Sequence, residues 1–177
     1  TSGSMGYGLP AAIAAKLEHP ERTVICFAGD GCLQMSIQEL STAQQHGAGI
    51  IVIVANNGRY GTIRMHQEKT YPGRVSGTDL WNPDFVALAR AYGGQGHLVT
   101  ETAQFADAFE TAKANGGLQI IELKLDPDML ATGFRLVILR RAKARRLKKT
   151  SIGRSFVSVA LHTDLSLWER DRDSVFF

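Results

Sequence analysis

Apolar positions along this chain follow two rhythms. Val24-Ile25-Cys26-Phe27-Ala28 and the stretch from Ile50 to Val54 are continuous apolar runs. Short runs of this kind, bounded by turn residues, read as strands buried on both faces. Between them Ile37, Leu40 and Ala43 fall at helical spacing, and Gly47 makes a good C-terminal stop. The pattern predicts strands at 23–28 and 50–55 joined by a helix at 36–46. Upstream, residues 10–17 predict a helix whose small residues, Ala11, Ala12, Ala14 and Ala15, allow close packing.

Downstream, residues 58–81 are rich in glycine and polar groups and predict a long loop with one helical turn. Asn82-Pro83-Asp84 then opens a helix through Tyr92, with Asn82 as N-cap and Pro83 in the first helical position. A short strand is expected at 97–100. Thr102 is expected to cap a helix running to Asn115, ended by Gly116-Gly117. Residues 118–125 alternate Ile and Leu with polar residues and predict the last strand. Strands alternating with helices imply an α/β fold, a mainly parallel sheet with helices on both faces.

This topology gives two turns a meaning. A βαβ crossover is right-handed in nearly all cases, so the loops after both strands open on one edge of the sheet, where open α/β folds bind ligands. The first loop is Gly29-Asp30-Gly31. The second begins with Asn56-Asn57, 27 residues from Asp30 to Asn57. A carboxylate and a carboxamide at neighbouring strand ends, with main-chain N–H groups alongside, suit a hard cation holding a diphosphate. Either turn alone is commonplace, since Asn and Gly favour turns. Their separation by one βαβ unit is what makes the pair informative.

Gly29-Asp30-Gly31 followed at this distance by Asn56-Asn57, and preceded by Gly3-Ser4-Met5-Gly6, resembles the metal and diphosphate motif of the thiamine diphosphate enzymes. The resemblance runs from about residue 3 to residue 128. It points to the cofactor-binding C-terminal domain of the acetolactate synthase and 2-oxoacid decarboxylase group. It implies thiamine diphosphate and Mg2+ as cofactors, with Asp30, the Asn57 carboxamide and the Arg59 main-chain carbonyl as metal ligands. It implies further that Gly29 belongs to the cofactor site and that Gly31, Cys32, Tyr60 and Gly61 approach the phosphates through backbone N–H groups, Cys32 standing where relatives often have Ser. Gly3, Ser4 and Met5 would meet the ring end of the cofactor, Met5 as the apolar wedge that bends it.

The resemblance also implies a 2-oxoacid substrate, decarboxylated or joined to a second carbonyl compound. The glutamate that such chemistry needs is expected from the pyrimidine-binding domain of a partner subunit, in a homodimer or homotetramer. His66 is the one candidate acid or base in this chain, because an unperturbed imidazole exchanges protons near neutrality. Acetolactate synthases commonly carry Trp at that position. The alternative is a cofactor-domain remnant serving as a binding or interaction module.

Composition bounds the rest. Hydrophobic residues make up 44% of 177, enough for one substantial core. No run is long enough to span a membrane, and two cysteines, Cys26 and Cys32, fit a reduced pair in a cytoplasmic protein. Charge is split along the chain. Residues 1–133 hold 9 basic and 13 acidic residues, a net of −4, whereas residues 134–177 hold 11 and 4, a net of +7. The expected organisation is therefore a cofactor domain over 1–133, truncated at its N-terminus as a fragment of a longer protein, and a basic tail over 134–177. A basic stretch can meet nucleic acid, but the tail's aromatics form no stacking pattern, and it reads as an unrelated extension.

Overall fold

The computed structural model describes residues 3–131, 134–135 and 174–176. The elements follow in order as helix α1 (Gly8–Glu18), strand β1 (Thr23–Gly29), the short α2 (Asp30–Leu33), α3 (Glu39–Gln45), β2 (Ile51–Asn56), α4 (Gly61–Thr70), α5 (Phe85–Ala91) and β3 (Gln95–Val99). Then come α6 (Phe105–Asn115), β4 (Gln119–Lys124), a small hairpin of β5 (Met129–Ala131) and β6 (Phe134–Arg135), and β7 (Ser174–Phe176). The main sheet has the order β3-β4-β2-β1-β7 and every pairing in it is parallel. Its fifth strand comes from the basic tail: Thr23, Val24 and Ile25 pair with Ser174, Val175 and Phe176.

Alternate residues of each strand feed two separate cores. Val24, Cys26, Ala28, Val52, Val54 and Ile120 face one side, where Leu9, Ala12 and Ile13 of α1, Leu40 and Ala43 of α3, and Phe85 and Ala89 of α5 cover them. Ile25, Ile51, Ile53, Ile121 and Leu123 face the other side, under Ala112 of α6 with Phe105, Ala108 and Phe109. Strands buried on both faces read as unbroken apolar runs, which is why β1 and β2 were legible. Phe27 alternates onto the second side but is 43% exposed, because α6 lies over β3 and β4 and stops short of β1.

Local differences from the sequence-based expectation have local causes. Residues 61–70 form a ten-residue helix rather than a loop with one turn. α4 buries none of its residues fully, so it lacks the apolar stripe that announces a helix; an Arg64–Glu68 ion pair at i,i+4 spans its surface instead. α5 begins at Phe85, and its cap is Asp84, whose carboxylate accepts from the Ala87 N–H at 2.9 Å. Asn82 is excluded from that role because its side chain is engaged by Asp30, Asn56 and Gln34. Ahead of α6, Glu101 rather than Thr102 is the capping residue, in a reciprocal box with Gln104 over a single 3₁₀ turn. Ala14 of α1 faces solvent, while Ala12 is fully buried.

Candidate cofactor and metal site

The two diagnostic turns meet as the topology requires. Gly29, the last residue of β1, pairs in register with Ala55 of β2, so Asp30 and Asn56-Asn57 leave adjacent strands at the same edge. Asp30 opens the short α2 rather than sitting in a simple turn, and its carboxylate is 2% exposed. Its Oδ1 accepts from the Gly31 N–H at 2.8 Å. Its Oδ2 accepts from the Gly58 N–H at 2.8 Å and from Asn82 Nδ2 at 2.6 Å. No basic side chain among the described residues forms an ion pair with it.

A cleft of about 410 Å³ opens beside Asp30. Gly3, Met5, Gly29, Asp30, Gly31, Cys32, Arg59, Tyr60 and Gly61 line it, together with Thr62 and Ile63. Nine of the eleven residues expected at a cofactor site thus converge on one cavity. Ser4 and Asn57 are not among its lining residues, and Asn57 Oδ1 accepts from the Arg59 N–H at 3.1 Å, closing a local turn. His66 lies on the exposed surface of α4 and does not line the cleft.

Three features shape the cleft. The first turn of α4 borders it through Gly61, Thr62 and Ile63, so main-chain N–H groups without intrahelical partners lie beside it, with no acidic residue among them. Gly31 packs under Tyr60: a Cβ there would lie 2.4 Å from the ring's Cε1 and 2.9 Å from Leu80 Cδ1. Gly6, at φ +79°, donates its N–H to Cys32 Sγ at 3.2 Å, and its carbonyl accepts from Ser36 Oγ at 2.9 Å. That left-handed backbone is one only glycine adopts freely. These bonds tie the Gly3–Gly6 segment to α2 and to the turn that follows it.

The Arg59 side chain is engaged by acidic side chains and a carbonyl. Its Nε pairs with Asp79 at 3.0 Å, and its Nη1 with Asp128 at 3.2 Å and the Pro127 carbonyl at 3.1 Å. Antiparallel bonds from Tyr60 N–H to Thr78 O and from Leu80 N–H to Gly58 O lay residues 78–80 along residues 58–60. Behind the cleft, Asn56 Oδ1 accepts from Asn82 Nδ2 at 2.8 Å, and Asn56 Nδ2 donates to the buried Glu122 Oε1 at 2.6 Å. Lys124 Nζ also reaches Glu122.

Thr62, Ile63, Asn82 and Glu122 stand at or behind the site without having been expected there, Asn82 having been expected as a helix cap. For Glu122 a signal existed, an acidic residue at the centre of an apolar strand. For the others none did.

The donor set fits a hard divalent cation. Asp30, which lines the cleft, is a buried carboxylate balanced only by neutral donors, and its Oδ1 accepts a single bond and keeps an acceptor position free. The described residues contain no cluster of three His, Cys, Asp or Glu, so a cation here needs carboxamide, main-chain and phosphate oxygens besides Asp30. Among the thiols, burial, with the nearby Cys32 adding, pushes Cys26 up to about 12.

Comparison with known proteins agrees with this geometry. Residues 1–123 match the thiamine pyrophosphate enzyme, C-terminal TPP binding domain family. The acetolactate synthase large subunit of Haemophilus influenzae is 49% identical over 127 residues, covering 71% of this chain and 22% of the relative. The acetolactate synthase isozyme 3 large subunit of Escherichia coli K12 is 40% identical over 129 residues, covering 70% and 22%. Among solved structures, a thiamine diphosphate-dependent 4-hydroxybenzoylformate decarboxylase from Rhodococcus jostii RHA1 superposes with a TM-score of 0.66 at 38% identity, covering 71% of this chain and 24% of that one. The chain spans about a fifth of the length of the curated relatives it matches. Residues 1–123, which carry the buried Asp30 beside the cleft and the Asn56-Asn57 turn at the end of the neighbouring strand, make this chain a member of the thiamine diphosphate-binding C-terminal domain family.

Proposed function

We propose that this chain is the thiamine diphosphate- and Mg2+-binding domain of a lyase or transferase acting on 2-oxoacids, by decarboxylation or by carboligation. The observation that carries the proposal is Asp30, a carboxylate 2% exposed that lacks a cationic partner among the described residues and borders a cleft walled by main-chain N–H groups. Mg2+ on Asp30, the Asn57 carboxamide and the Arg59 carbonyl would neutralise a diphosphate held by the N–H groups of Gly31, Cys32, Tyr60 and Gly61. The first turn of α4 adds the N–H groups of Thr62 and Ile63. No lysine is needed, and none lines the cleft. Met5 and Gly3 also line the cleft and would support the ring end. The bound cofactor supplies the electron sink for loss of carbon dioxide.

The cleft's lining among the described residues contains no glutamate. We assign the glutamate that this chemistry requires to the pyrimidine-binding domain of a partner subunit, in a homodimeric or homotetrameric enzyme of the cytoplasm. Glu39 does not serve: it sits at the start of α3, where its carboxylate accepts from Thr42 Oγ1.

Calorimetric titration of thiamine diphosphate in the presence of Mg2+ tests the site. Asp30→Ala should abolish metal-dependent binding, and Asn57→Ala should weaken it less, because a neutral ligand is lost. Unchanged magnesium-dependent affinity in Asp30→Ala overturns the reading. The isolated chain should release no carbon dioxide from pyruvate, phenylpyruvate or benzoylformate, and a separately expressed pyrimidine-binding domain should restore some turnover.

A further inference from the structure

Asp30 is held by a side-chain network whose members come from distant parts of the chain. Asn82 Nδ2 donates to Asp30 Oδ2 at 2.6 Å and to Asn56 Oδ1 at 2.8 Å. Gln34 Nε2 donates to Asn82 Oδ1 at 2.6 Å. Asn56 Nδ2 donates to Glu122 Oε1 at 2.6 Å. Ionised carboxylates only accept, so Asp30 and Glu122 at the two ends fix which way both asparagine amides point. Asn82 must present Nδ2 to Asp30, and Asn56 must present Nδ2 to Glu122. Gln34 then meets the one acceptor Asn82 has left.

The consequence lies in the two oxygens of Asp30. Oδ2 already accepts two bonds, from Gly58 N–H and Asn82 Nδ2, and its acceptor capacity is filled. Oδ1 accepts one, from Gly31 N–H, and keeps a position free. A cation approaching from the cleft can take Oδ1 alone unless the Asn82 bond breaks. Mg2+ demands near-ideal octahedral geometry with short single-oxygen contacts, whereas Ca2+ takes six to eight oxygens and accepts bidentate carboxylates.

We propose that Asn82 is a selectivity-determining residue of the metal site: by occupying Oδ2 of Asp30 it confines that carboxylate to one-oxygen ligation and so favours Mg2+ over Ca2+. The inference rests on the cofactor reading above. Asn82 touches neither the cation nor the cofactor in this scheme and acts through Asp30, as a positioning residue.

The test is metal binding, independent of turnover. Mg2+ and Ca2+ are each titrated into the 177-residue chain with thiamine diphosphate present, for the wild type, Asp30→Ala, Asn82→Ala and Gln34→Ala. Outer-shell partners typically change metal affinity 10–100-fold, so Asn82→Ala should lower Mg2+ affinity roughly tenfold. It should leave Ca2+ affinity unchanged or raised, so the Mg2+/Ca2+ preference collapses. Gln34→Ala removes only the bond that anchors Asn82, leaves Asp30 untouched, and should shift the preference in the same direction by less. It also serves if Asn82→Ala fails to fold by circular dichroism. With Mn2+ as a spin probe, the bound-metal EPR spectrum should change in Asn82→Ala. Equal losses for both cations would mean a merely structural role and overturn the inference, as would a wild-type preference in both folded variants. Absence of any metal-dependent binding by the wild type, or its persistence in Asp30→Ala, overturns the cofactor reading and this inference with it.

Discussion

The ring of Tyr60 occupies the space a side chain at Gly31 would need, with its Cε1 2.4 Å from where a Cβ would stand. Tyr60 is held in place because its N–H donates to Thr78 O and because it precedes α4, while Gly31 lies in α2 behind Asp30. The contact therefore joins the loops after β1 and β2, the two that carry the expected metal ligands.

Gly31→Ala should destabilise the fold by about 2 kcal/mol, since overpacking of a filled site costs roughly 1–3 kcal/mol. The ring of Tyr60 and the methyl of Leu80 must both move to admit the new Cβ. Denaturant unfolding would show it, and Tyr60→Ala in the same chain should recover part of the loss. An unperturbed Gly31→Ala midpoint would mean that the two loops are not packed this way.

Glu122→Ala should cost about 2 kcal/mol, because burying a polar group without its partner typically costs roughly 1–3 kcal/mol. Asn56 Nδ2 loses its acceptor inside the sheet, while Lys124, half exposed, turns to water. Glu122→Gln, which can still offer Asn56 a carbonyl oxygen, should retain most of the stability. Thermal unfolding of the two variants distinguishes them.

Cys26 and Cys32 should differ sharply toward thiol reagents. Burial first, and Cys32 second, raise the Cys26 thiol to about 12, so the thiolate that reacts is scarce at neutral pH. Cys32 lines the cleft. A disulfide reagent at pH 8 should titrate one thiol in the native chain and two in denaturant, and Mg2+ with thiamine diphosphate should protect the first. The sign follows from the raised value. Folding favours the neutral thiol, so this contribution is complete below the ordinary value of 9.0 and is lost as pH climbs from there toward about 12.

Removal of residues 134–177 should leave cooperative unfolding, with a stability loss of about 1 kcal/mol from burial bookkeeping. Among the described residues, both core clusters are built from residues before 126, with Val175 of the tail partly buried beside the first. Among the described residues, the strand Ser174–Phe176 pairs with three residues of β1. A chain that no longer unfolds cooperatively after this truncation would show that the tail is part of the core.

What the sequence determined by itself was the part of the site governed by short-range rules. Two apolar runs bounded by Gly-rich turns specify buried parallel strands, and a helix of one crossover length makes them neighbours. Asp30 and Asn56-Asn57 then have to share an edge, and the register of Gly29 with Ala55 puts them there. Gly116 at φ +64° ends α6 as its residue type requires.

Tertiary structure alone decided the rest. Asn82 lies 52 residues from Asp30, and no local periodicity records that its amide will turn inward rather than cap α5. Its place is set by the packing of Phe85 and Ala89 into the first core and by the pairing of residues 78–80 with 58–60. α4 was invisible because it buries no apolar face, and what marks it is its position at the cleft after Tyr60. Glu122 is tolerated inside an apolar strand only because Asn56, on the neighbouring strand, donates to it. Pairings across such distances cost loop-closure entropy and are settled by the whole fold, so they leave little trace in the spacing of residues along the chain.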